Sequence, residues 1–145
     1  MLFIKIVIFI HLICATVWAG GHLILSIGFL PPAIKKQDFT IIESFESRYE
    51  RIGIPSLLLL LITGIILSFH YCPQFLEFAL NDHYTRHIFI KFILLILTII
   101  LAVHARFYLI PKRNINTLSW HILLVTLIAL LFVFTGFSAR SGGLI

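Results

Sequence analysis

An all-α membrane protein is what this sequence predicts: a bundle of four transmembrane helices forming one domain over residues 1–145. Three observations predict it. Sixty per cent of the residues are hydrophobic, the mean hydropathy is +1.08, and only 12% are charged. A soluble domain carries about 25% charged residues, so a water-facing surface cannot be built from this composition. Four apolar runs each approach or exceed the ~20 residues that cross a bilayer. Prolines and polar turn residues divide these runs at three places.

The first span covers residues 3–30. Its apolar run is longer than the ~7–15 residues of a signal peptide and has no small-residue cleavage site, so it reads as a retained helix. Pro31-Pro32 is expected to end it. The stretch from Ala33 to Gly53 is amphipathic and mixed in charge, with Asp38 placed to cap a helix leading into the second span. That span covers residues 54–71, with Pro55 as a source of a kink. Pro73 and Asn81-Asp82 mark a loop. The third span covers residues 87–110 and closes at Pro111. A short link then leads to the fourth, residues 117–139, so these two are expected to be antiparallel neighbours. No internal repeat is evident along the chain. Cys14 and Cys72 supply no disulfide framework. The net charge of +5 comes without a basic run of the kind that binds nucleic acid.

Orientation follows from Lys and Arg. Lys35, Lys36, Arg48, Arg51, Arg106, Lys112 and Arg113 fall on one side; Lys5, Arg86, Lys91 and Arg140 fall on the other. The richer side is expected in the cytoplasm, which puts both termini and the loop near Asp82 outside.

Ionisable groups inside a bilayer are costly, and so they mark candidate sites. His11, Ala15, Trp18 and His22 form one stripe on the first helix, with the two imidazoles about 16 Å apart along the axis. Threading the spans in alternating directions divides the histidines by depth. His22, His104 and His121 form an inner layer drawn from three helices. His11 and Lys91 lie in an outer layer, with His70, His83 and His87 near its boundary and Arg140 closing the fourth span. The boundary histidines read as interfacial residues. Imidazoles at two depths suit copper, which neutral imidazole ligates well. They equally suit haem held between helices by axial histidine. With Met1 the sole methionine and the two cysteines apart, a copper site must be mostly imidazole. The apolar spans carry no Asp or Glu, which argues against a carboxylate proton relay, and no hydrolytic triad or phosphate loop is present.

The strings "HLICATVWAGGHL", "FESRYERIGIP", "KFILLILTIILAVHARFYLIP" and "WHILLVTLIALLFVFTGFSARSGG", in that order, resemble the CopD family. The resemblance implies a bacterial inner-membrane protein linked to copper uptake or tolerance. It points to His11, His22, His104 and His121 as metal positions, with Arg48, Arg51, Arg106 and Arg140 as basic companions. A second likeness, carried by "IHLICATVWAG" and a lysine early in span three, is to HemJ-type protoporphyrinogen oxidases. It implies haem b bound through His11 and Lys91. Independently of that likeness, His22 and His104 lie at similar depth on different helices, so one cofactor could bridge them. The implied partners are the lipid bilayer and a copper ion or haem, with room for a homodimer and for a periplasmic copper protein.

Overall fold

A computed structural model describes residues 1–77 and 81–143. Among these the chain is almost entirely helical. Four long helices, α1 (Leu2–Lys36), α2 (Thr40–Tyr71), α3 (His83–Lys112) and α4 (Ile115–Arg140), are each long and apolar enough to cross a membrane. The chain runs up and down, so both ends of the bundle chain share one face, the terminal face. The α1–α2 and α3–α4 turns share the other, the turn face.

The helices are longer than the sequence reading, for identifiable reasons. Pro31 and Pro32 do not end α1. A π-helical turn at Leu25–Phe29 precedes them, in which the Leu30 amide donates to the Leu25 carbonyl. The prolines then fall in the first turn of a fresh α segment, where a missing N–H costs little. The helix runs on until Gln37 takes a left-handed conformation with φ of 51°. The same device closes α3: a π turn at Ala105–Leu109, then Pro111, then Arg113 with φ of 50°. The amphipathic linker is no separate unit. It merges with the second span into one 32-residue helix, with Pro55 inside it. The Asp38 carboxylate accepts from the Thr40 amide at 2.9 Å and its hydroxyl at 2.6 Å. Asp82 caps α3 by accepting from the Thr85 amide at 2.7 Å, and Asn114 caps α4 through the Thr117 amide.

Close backbone approaches run α2–α1–α4–α3 in space, leaving α2 and α3 apart on one side of the bundle. A tight apolar cluster at the turn face joins Leu25, Leu30, Ala33, Ile42, Leu109, Leu118 and Ile122. Two exposed ion pairs, Arg106–Glu50 at 2.9 Å and Arg113–Glu43 at 3.3 Å, tie α2 to the end of α3 there. Being exposed, they add little stability. Within the spans, hydroxyls satisfy themselves on carbonyls one turn back, as Thr98 does on Leu94 and Thr126 on Ile122. Lipid offers no other partner. Where α1 meets α2, the Tyr49 ring lies against Gly21 and Gly53, and its hydroxyl donates to the Trp18 carbonyl at 3.0 Å.

The structure also corrects the reading that the chain lacks a repeat. "IFIHLI" at 8–13 and "IFIKFI" at 88–93 are spaced by the same 80 residues that separate the two π turns and Pro31 from Pro111. In α2 and α4, a Thr-Gly step recurs at 63–64 and 135–136, each threonine donating to a leucine carbonyl four residues earlier. The two hairpins are therefore of like construction. His11 and Lys91 occupy the matching position in each.

Candidate functional site

Toward the terminal face the packing loosens, and a cavity of about 560 Å³ opens where α2 and α3 stand apart. All four helices line it. The walls are apolar apart from a few groups, chief among them His11, Lys91, Tyr71, Tyr84 and Arg140. No Asp or Glu lines it. The two hairpins present their matching positions to it. His11 lies beside Gly64, where a Cβ would come within 3.5 Å of its Cε1, and the Lys91 ammonium lies 3.4 Å from where a Cβ on Gly136 would stand.

The hydrogen bonds fix the state of His11. Its Nδ1 lies 2.8 Å from the Thr63 hydroxyl. That hydroxyl has one proton, and it donates it to the Leu59 carbonyl. The threonine oxygen can therefore only accept, so Nδ1 carries the hydrogen. In the neutral ring Nε2 is then a bare lone pair, and the threonine sets the tautomer and orientation of the imidazole.

The inner layer divides. His104 and His121, from α3 and α4, approach with ring centroids 5.5 Å apart. His121 donates Nε2–H to the Leu101 carbonyl at 2.8 Å, which leaves its Nδ1 bare in the neutral ring. His22 is not with them. It packs edge-on against Trp18 at 4.6 Å and near Tyr49 at 5.8 Å, and its Nε2 and the Trp18 Nε1 are buried without a hydrogen-bond partner among the described residues. Among the described residues no three His, Cys, Asp or Glu side chains gather into a group able to hold a metal ion. A two-imidazole pair is the most concentrated donor set on α3 and α4 toward the turn face.

His87 corrects the reading of the boundary histidines. It is only 2% exposed. Nδ1–H donates to the His83 carbonyl at 2.7 Å, so Nε2 accepts from the Ser138 hydroxyl at 2.9 Å. Both ring nitrogens are used, and the residue braces α3 on α4 beside the cavity. His70 is exposed against Tyr71. Cys72 meets the Thr85 hydroxyl at 3.1 Å in the loop. There, outside the spans, the Thr85 amide and hydroxyl hold the Asp82 carboxyl below its usual range. Sequence reasoning missed Gly64 and Gly136 as cavity residues and Thr63 as the partner of His11. The repeated Thr-Gly step was the signal that could have found them.

No curated protein and no solved structure matches this chain. The family model described as Copper resistance protein D matches residues 43–139, more than half of the chain. The matched segment takes in Lys91, His104 and His121, while His11 and His22 precede it. With four membrane-spanning helices and that match, this chain belongs to the CopD family of copper resistance protein D.

Proposed function

We propose that this chain handles copper at the bacterial inner membrane, as transport or tolerance, through its intramembrane histidines. The observation that carries the reading is the His104–His121 pair. Two imidazoles from neighbouring helices stand 5.5 Å apart between centroids, and a backbone hydrogen bond sets the tautomer of one. Imidazole suits copper. The pair lies at the turn face, which the excess of Lys and Arg assigns to the cytoplasm, with both termini periplasmic. His11 is the outer imidazole of the same scheme, and His22 stands at the level of the pair, packed against Trp18 and Tyr49. The periplasmic termini leave the cavity facing a periplasmic copper protein as the donor or acceptor. The test is copper loading of the purified protein under reducing conditions against a competing chelator. His104→Ala and His121→Ala should each lose about as much copper as the double variant, because the two act as one site. Full copper content in the double variant would end this reading.

One observation favours a second reading, haem b in the cavity. His11 offers a bare, threonine-oriented Nε2 at the wall of a space of about 560 Å³. That volume lies within the range of cofactor sites. The donor set fits an axial imidazole, with Lys91 from the matching helix on the same cavity. When bound, haem would supply one-electron chemistry. His11 would hold it, and the apolar walls would keep water from it. A Soret band in the purified protein, lost in His11→Gln, is the expected outcome; a colourless protein from haem-replete cells refutes it.

A further inference from the structure

Two cations line the cavity, and among the described residues no carboxylate neutralises them. Lys91 is half-buried in a membrane-spanning helix, with its ammonium against Gly136. It makes no hydrogen bond and no ion pair among the described residues; the ion pairs found there are at the turn face. Arg140, exposed at the end of α4, lies within electrostatic reach of Lys91 and sets its guanidinium 5.4 Å over the Tyr71 ring, with no carboxylate partner among the described residues. The nearest histidines do not help. His87 has both nitrogens committed, and His11 offers a lone pair to the space, not a negative charge. For Lys91, an ammonium left unpaired in a low-dielectric site is expensive, and the like charge of Arg140 nearby makes it more so.

A snorkelling lysine would escape this cost by stretching toward the surface. Lys91 does not read that way. Its counterpart in the other hairpin, His11, also faces the cavity, and each is met by the glycine of a Thr-Gly step. The inward position is a property of the repeat. What remains is a space with a cationic end near the terminal face and an apolar body along Leu12, Leu61, Phe132 and Val133.

We propose that this cavity is a binding site for an amphiphilic carboxylate, its acid group held between Lys91 and Arg140 and its apolar body lying between the four helices. Charge complementarity selects the acid, and the volume selects a molecule of drug size over a two-chain lipid. The inference does not depend on the His104–His121 pair that carries the copper reading, and it shares its cavity with the haem reading. The chemistry is met by a single-chain acyl acid or by the acid edge of a tetrapyrrole, and the experiment separates these.

The probe is a fluorescent long-chain carboxylic acid and its methyl ester, titrated onto purified full-length protein in detergent. The acid should bind about tenfold or more tightly than the ester, since a charge-assisted contact is at stake. Lys91→Met should abolish that preference and Lys91→Arg should keep it. Equal affinity for acid and ester in the wild type overturns the proposal, and this arm needs no variant to fold. Acid preference surviving intact in a folded Lys91→Met protein overturns it as well. Solvent extraction of the purified protein followed by mass spectrometry and absorbance then names the source. An acyl acid or a tetrapyrrole supports the site. An extract containing neither, from a protein that also ignores the probe, refutes it.

Discussion

Gly20 and Gly21 are adjacent on α1 and should respond oppositely to the same change. A Cβ on Gly20 meets nothing within 4 Å, whereas one on Gly21 would overlap the Tyr49 ring. Gly20→Ala therefore gains helix propensity, up to about 1 kcal/mol, with no packing cost. Gly21→Ala gains the same and then pays for overpacking, typically about 1–3 kcal/mol. Tyr49 cannot slip sideways cheaply, because a Cβ on Gly53 would stand 2.8 Å from the other edge of its ring, so the tyrosine already fills a slot between two glycines. If the ring is pushed out, its hydrogen bond to the Trp18 carbonyl is lost too, about 1 kcal/mol more. The two variants should thus differ by roughly 2–4 kcal/mol. The assay is reversible unfolding in mixed micelles, with the double-mutant cycle on Tyr49→Ala as control. Removing the ring should erase most of the penalty at position 21. Equal stability of the two alanine variants would refute the slot.

Three further outcomes are expected. His11→Gln should keep the contact to Thr63 and the fold, since such intramembrane bonds are worth only about 0.6–2 kcal/mol, while metal or haem content falls away; wild-type content would return His11 to a packing role. A cysteine at Lys112 should be labelled from the cytoplasm and one at Asp82 from outside, and the reverse pattern would exchange the two faces in the functional scheme. The Asp82 cap should be sensitive to acid in one direction only. Its carboxyl is held below the ordinary value of 3.8, so its contribution is complete above that value and is lost as pH falls through the lower folded one. Hydrogen exchange at the Thr85 amide should therefore be protected evenly from neutral pH to about 5 and lose protection below about 4, with Asp82→Asn showing no such step.

Span number and character were legible because bilayer thickness imposes a length and a composition that no other fold class shares. Helix ends were not. Pro31 and Pro111 read as stops, yet the π turns before them place each proline where its missing N–H does no harm. Such a turn leaves no residue-level mark that a periodicity argument can see. Depth was legible for the histidines, since counting along a helix gives height. Azimuth across helices was not. His22 shares a level with His104 and His121, but Tyr49, admitted by Gly21 and Gly53, claims its ring instead. His87 looked like a boundary residue because it lies near the start of α3; its burial depends on Ser138 arriving from a helix 51 residues away.

Of the four helices, contacts between α1 and α4 join the earliest made to the latest. The α1–α2 hairpin has its own internal packing and is complete once Tyr71 is synthesised, well before α4 exists. During that interval the seat for α4, the Ser26 hydroxyl and the His22 carbonyl that Thr126 will bond, has only lipid or insertion machinery before it. The α3–α4 hairpin, of like construction, must then dock as a preassembled half. Assembly of this small bundle is thus closer to the pairing of two subunits carried on one chain than to the winding of four helices in turn, and their covalent connection sets the concentration of one half near the other.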